Sequence, residues 1–244
     1  SRDAGDIRSL MVRVSTRQSA SSAVLRRLDK VTKYLAWDLD GVLVDLDECH
    51  RVAVNKALEH FGCTITMAEH KKTFKGLPTR IKCEMLTRLK RLNVNDHAEV
   101  RRLKQEYTRT TMIEVLKPDQ EKIALMKALQ GIGYDMCICT NSVRDTLDIC
   151  LDVTQLYPFI VFGISNEDVK RPKPHPDIYL TAASTFGIKP EQLTVIEDAL
   201  PGIESALAAG CRIIKVRNPN DVTRDKLVHK IVEGVGIGIK RTAR

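Results

Sequence analysis

The stretch Leu35-Ala36-Trp37-Asp38-Leu39-Asp40-Gly41-Val42-Leu43-Val44-Asp45 ends a short apolar run on two aspartates separated by one leucine. Tyr34–Trp37 has the composition of a buried strand, and Gly41 allows a sharp turn after the acidic pair. Two carboxylates this close repel each other, and burying them is costly without a counter-ion. In open parallel sheets, however, ligands bind beyond the carboxyl ends of the strands. The pair therefore marks a candidate site at the edge of a sheet.

Downstream, strands and helices alternate. Helices are expected over 119–130, 143–152, 176–186, 201–209 and 221–232, and strands over 134–139, 159–162, 194–197 and 212–216. Such alternation argues for a parallel sheet with helices on both faces. Between the first strand and this run, Asp47 is placed to cap a helix over about 48–61. Residues 65–117 then read as all-helical, with Ile81, Met85, Leu86 and Leu89 at helical spacing. The fold expected is α/β, a Rossmann-like doubly wound parallel sheet with an inserted all-helical cap domain. Its parts are a basic extension (1–33), a core (34–50 and 118–223), the cap (51–117), and a C-terminal helix end and tail (224–244). Within the extension a short helix over 20–33 is expected. In the tail, Gly234, Gly236 and Gly238 alternate with apolar residues, as an added edge strand would.

The charge follows the same division. The net +8 of the 244 residues resolves into +5 for 1–33, +8 for 51–117, +4 for 224–244 and −9 for the remainder. A basic insert on an acidic unit suits an anionic substrate, with solvated lysine-rich helix faces as the other reading. Basic tails and cap also leave room for nucleic acid or a macromolecular complex as partner. No apolar run approaches the roughly 20 residues of a membrane span, and the N-terminal stretch lacks the apolar centre of a signal peptide. Seven scattered cysteines, with no zinc-type spacing, read as buried thiols of a reducing, cytoplasmic setting. The Arg/Ser-rich start leaves an organellar, for instance mitochondrial, location open.

Three expected strands end at polar residues, Asp38, Thr140 and Asp198, and Lys173 lies in the loop after another. Topology brings these together with Asp40 and Glu197. Four acids in one place call for a hard divalent cation, and Mg2+ takes carboxylate and carbonyl oxygens. Together with one lysine and one hydroxyl they meet the needs of phosphoryl transfer, in which positive groups neutralise the phosphoryl oxygens and a nucleophile attacks in line.

Four motifs carry a resemblance: Asp38-Leu39-Asp40-Gly41-Val42-Leu43-Val44-Asp45, Ile138-Cys139-Thr140-Asn141-Ser142, Lys173-Pro174-His175-Pro176-Asp177-Ile178-Tyr179, and Val195-Ile196-Glu197-Asp198-Ala199-Leu200-Pro201-Gly202-Ile203. In this order they resemble the haloacid dehalogenase superfamily, in its capped branch of β-phosphoglucomutases and sugar-phosphate phosphatases. The resemblance covers about 34–217. It implies Asp38 as the nucleophile that forms an aspartyl-phosphate, and Asp40 as general acid and base. It implies Asp38, the Asp40 carbonyl and Asp198 as magnesium ligands, with Glu197 acting through the metal's shell. Thr140, Lys173 and the Asn141 backbone would hold the phosphoryl oxygens. His50 would assist Asp40 or contact substrate, and a cap loop at Gly76-Leu77-Pro78-Thr79-Arg80 makes Lys75, Thr79 and Arg80 specificity candidates. The aspartate two residues after the nucleophile excludes dehalogenation. Two positions depart from the family pattern: Pro172 precedes the lysine where glycine is usual, and Ala199 stands where serine is common.

The function expected is a Mg-dependent phosphatase acting on a small phosphorylated metabolite, a sugar phosphate or similar. A phosphomutase of the β-phosphoglucomutase type is the alternative. A subunit that keeps this fold for binding or assembly is the reading from another class.

Overall fold

The computed structural model describes residues 33–75 and 77–233. The expectations for 1–32, for Gly76 and for the glycine-alternating tail lie outside the described residues. Among the described residues, five parallel strands form the sheet: β1 (Tyr34–Trp37), β2 (Asp135–Cys139), β3 (Phe162–Ile164), β4 (Leu193–Glu197) and β5 (Arg212–Lys215), in the order β3-β2-β1-β4-β5. Strand β1 is central, pairing with β2 on one side and β4 on the other, and Trp37 is level with both Ile138 and Ile196.

Among the described residues, eight longer helices accompany the sheet: α1 (Asp47–Glu59), α2 (Thr79–Arg88), α3 (His97–Val115), α4 (Gln120–Gly131), α5 (Arg144–Val153), α6 (Asp177–Phe186), α7 (Leu200–Ala209) and α8 (Arg224–Glu233). The strands have period two, so alternate residues feed opposite faces. Leu35, Trp37, Met136 and Ile138 pack on one face against Leu125 and Leu129 of α4, Leu147 and Leu151 of α5, and Leu227 of α8. Ala36, Cys137, Cys139 and Val195 pack on the other against Ile178 and Tyr179 of α6 and Ala206 of α7. Both faces are thus covered, as a doubly wound sheet requires. The fold class is the expected one.

Between β1 and β2 the chain makes a helical layer with an apolar centre of its own. Val54 and Leu58 of α1, Phe74, Cys83 and Leu86 of α2 and its approach, and Val100 of α3 are buried together. Met67–Glu69 opens on a Thr66 capping box and runs into a π-helical turn, His70–Phe74. Helix α3 leans on the core through Gln105 Nε2, which donates to Thr146 Oγ1 at 3.2 Å, and through Arg109, 3.0 Å from Asp145.

Three local expectations are corrected. The strand expected at 159–162 lies at Phe162–Ile164, because Pro158 holds Tyr157–Phe159 in a 3-10 turn and extended backbone starts only after it. The last helix starts at Arg224 rather than 221, since Pro219–Asp221 forms its own turn, capped by Asn218. Asp47 does not cap α1 but begins it, and its N–H donates to Asp45 Oδ1 at 3.0 Å. The seven cysteines are all buried free thiols, as expected.

Leu86 is fully buried in the cap's apolar centre. Leu86→Ala should therefore lower unfolding stability by about 2–5 kcal/mol, the usual cost of a leucine-sized cavity, read from denaturant melts.

Candidate active site

The register of the central strands positions the site. One residue beyond the Trp37 level, Asp38, Cys139 and Glu197 stand side by side across β1, β2 and β4, and the Asp38 N–H is bonded to the Ile196 carbonyl at 3.0 Å. Lys173 reaches over all three strands. Its Nζ donates to Asp38 Oδ1 at 2.7 Å, to the Cys139 carbonyl at 2.8 Å and to Glu197 Oε1 at 2.6 Å. Its three donors are therefore all used, with good geometry. The loop that carries Lys173 is held by Asn141, whose Oδ1 accepts from the Lys173 N–H at 3.0 Å and whose Nδ2 donates to the Lys173 carbonyl at 3.1 Å. The Asn141 side chain thus positions the lysine.

Glu197 is buried and fully occupied. Oε1 accepts from Lys173 and from the Tyr179 hydroxyl at 3.0 Å, and Oε2 accepts from the N–H groups of Asp198 at 3.0 Å and Ala199 at 3.3 Å. The Ala199 backbone therefore supplies a bond here despite the missing serine hydroxyl. A Cβ on Gly202 would lie 1.6 Å from Glu197 Oε1, so only glycine lets α7 begin this close to the carboxylate.

Asp38, Glu197 and Asp198 can bring one oxygen each within 4.8 Å of one another. Asp198 Oδ1 is buried and has no hydrogen-bond partner. An orphaned buried carboxylate oxygen is costly, and a hard cation satisfies it. The donor set is all oxygen, so the residues fit a magnesium-type ion. Gly41, at φ +86°, lets Asp198 approach, since a Cβ there would lie 2.2 Å from Asp198 Oδ2. Thr140 is buried, and its Oγ1 accepts from the Ser142 N–H at 3.0 Å, which leaves the hydroxyl proton to donate.

Asp40 meets different partners from Asp38. Its Oδ1 accepts from the Leu46 N–H at 2.8 Å and its Oδ2 lies 4.0 Å from His50 Nε2. Burial pushes the Asp40 carboxyl up to about 6, against the Leu46 N–H, which favours the charged form. Burial also lifts Asp38 above its usual range, against the opposing pull of Lys173. Burial disfavours the Lys173 ammonium, but Asp38 and Glu197 more than restore it, so it stays charged. The Asp198 carboxyl is raised by burial and then by Glu197.

The cap-side expectations separate. His50 is beside Asp40, and burial together with the Lys104 and Lys82 charges pushes its imidazole down to about 3, so it is neutral. Its Nδ1 accepts from Lys104 Nζ at 3.3 Å. Lys75 is exposed and pairs with Asp47 Oδ2 at 3.2 Å; Asp47 also meets the buried His70 at 3.3 Å. Thr79 opens α2, half-buried, and Arg80 is exposed and turned onto Glu84 of its own helix. Sequence reasoning gave no role to Tyr179, Lys82 or Lys104; Tyr179 stands at the end of the third motif, six residues after Lys173.

Comparison with known proteins gives the family and the fold. The family model for haloacid dehalogenase-like hydrolases matches residues 35–216. A Drosophila melanogaster protein described as a probable pseudouridine-5'-phosphatase is 30% identical over 216 residues, covering 83% of this chain and 88% of its own. The fructose-1-phosphate phosphatase YqaB of Escherichia coli is 28% identical, covering 75% of this chain and 95% of its own. Among solved structures, β-phosphoglucomutase from Clostridium difficile shares the fold at a TM-score of 0.65 and 19% identity, covering 83% of this chain and 98% of that one. The chain belongs to the haloacid dehalogenase-like hydrolases, and within them it is an enzyme of the phosphoric monoester hydrolase kind.

Proposed function

We propose that the protein hydrolyses a small phosphorylated metabolite, a sugar phosphate or a close relative, through a phosphorylated Asp38. The observation that carries this is the division of labour between two aspartates two residues apart. Asp38 is held by Lys173 at 2.7 Å, while Asp40 is bonded instead to the Leu46 N–H and faces His50. The names of the two sequence relatives support the substrate class.

The Asp38 carboxylate attacks phosphorus, and the bond from phosphorus to the ester oxygen breaks. Asp40, which burial favours in the protonated form, gives its proton to the departing oxygen. Asp40 then takes a proton from a water that attacks phosphorus, the bond from phosphorus to the Asp38 oxygen breaks, and inorganic phosphate leaves with the Asp38 carboxylate restored. Splitting one difficult displacement into two is the gain of covalent catalysis. The Thr140 hydroxyl holds a phosphoryl oxygen, with the Asn141 backbone beside it, and Lys173, whose donors are taken by Asp38, Cys139 and Glu197, acts on the transferring group through its charge. Asp38, Asp198 and the Asp40 carbonyl would hold Mg2+, with Glu197 acting from outside that shell because its own oxygens are already bonded. Bound there, the ion neutralises charge on the transferring group and between the acids.

Purified protein should release phosphate from a panel of sugar phosphates when magnesium is present, and a chelator should abolish the release. Asp38→Asn should lower kcat by roughly 10³-fold or more. An isomeric sugar phosphate as product, in place of inorganic phosphate, would mark a phosphomutase. Magnesium should also raise the melting temperature of the wild type and do so much less for Asp198→Asn, because a ligand bound only to the folded state stabilises it. Lys173→Met leaves Asp38 and Glu197 buried without their cation. Removing one partner of such a buried pair costs about 3–5 kcal/mol, so this variant should melt markedly earlier than Asp38→Asn.

A further inference from the structure

A cavity of about 170 Å³ lies where the chain passes between the sheet and the helical layer. None of Asp38, Asp40, Thr140, Lys173 and Asp198 borders it. One part of its wall is Leu43, Val44 and Asp45, in the turn that runs from β1 toward α1. Another is Leu116 and Lys117, in the link that returns the chain from α3 to α4. Both links between sheet and helical layer therefore border one space.

The lining mixes hydrocarbon with unused donors. Leu43, Val44 and Leu156 are buried in it. Lys122 is 7% exposed, and its ammonium has Asp119 Oδ2 as its one partner among the described residues. An ammonium carries three donors, so two are left over. Asp119 is already engaged further, since its Oδ1 accepts from the N–H groups of Glu121 at 3.0 Å and Lys122 at 3.3 Å. Lys117, which is exposed, adds a second ammonium with no side-chain partner among the described residues. Unmade bonds on a buried ammonium are costly, and a carboxylate oxygen is the acceptor that makes them strongest. The Asp45 carboxylate on the same wall disfavours a ligand with more than one negative charge. Size limits the rest. A void of roughly 150 Å³ holds benzene, so this one has room for about seven non-hydrogen atoms.

We propose that this cavity is a binding site for a small organic monocarboxylate, with its oxygens on Lys122 and Lys117 and its hydrocarbon against Leu43, Val44 and Leu156. The site is separate from the acids at the strand ends and does not rest on the phosphatase reading. Its occupant touches both links at once. One of them runs through Val44 and Asp45 into Leu46, whose N–H holds Asp40 at 2.8 Å.

The probe is 3-methylbutanoate, a branched acid of the right size, with its amide as the neutral counterpart. Both are titrated onto the full-length protein in magnesium buffer and followed by ligand NMR. The acid should bind roughly tenfold more tightly than the amide, the scale of one charge-assisted hydrogen bond. Lys122→Met should erase that preference. The Asp119 side chain is 44% exposed, so this change strands no buried acid. Leu116→Phe, which fills the space from another element, should weaken both compounds. Melting curves establish that each variant folds, and either variant alone reads the site. Inorganic phosphate added with magnesium should not displace the acid. No binding of the acid, equal binding of acid and amide, a preference that survives Lys122→Met, affinities unchanged in Leu116→Phe, or displacement by phosphate each overturns the site.

Discussion

The site depends on one ammonium group. Lys173 Nζ bonds a carboxylate on β1's end, a backbone carbonyl on β2 and a carboxylate on β4. Those three acceptors are level only because the sheet is parallel and in register around β1. A slip of one residue would move Asp38 to the opposite face and separate the three. Strand pairing and charge neutralisation are therefore the same constraint seen at two scales. The apolar side chains of β1 set the register, and the register makes a buried lysine tolerable.

Around that lysine, much of the surrounding structure serves to hold something else still. Asn141 ties both backbone groups of Lys173. Tyr179 and two backbone N–H groups fix the Glu197 carboxylate, which in turn directs the lysine. Two glycines allow close approach, Gly41 beside Asp198 and Gly202 beside Glu197. Such support suits a site whose charges must be fixed before a reaction develops new charge.

The sheet was legible in the sequence because its strands are short buried runs. The strand after Pro158 was misplaced by three residues because apolar composition spans the turn and the strand alike, while the proline determines which is which. The core acids and Lys173 were legible as motifs, each falling just after a strand or in the loop beyond it. The cap was not. Lys104 meets His50 across 54 positions, and no periodicity encodes a meeting between two helices. Arg80 had a readable alternative in Glu84, four residues on, since pairs at that spacing share a helix face. That pairing turns its guanidinium along the helix.

The seven buried thiols have a consequence of their own. Cys63 and Cys83 lie in the cap's apolar centre, Cys49 and Cys150 on one face of the sheet, and Cys137, Cys139 and Cys211 on the other. Each layer of the protein thus carries its own sulfur label. A thiol reagent in water meets these groups only as the layer enclosing them opens. The order in which they are modified would record how the molecule comes apart, cap and core in turn or together, with no label added by hand.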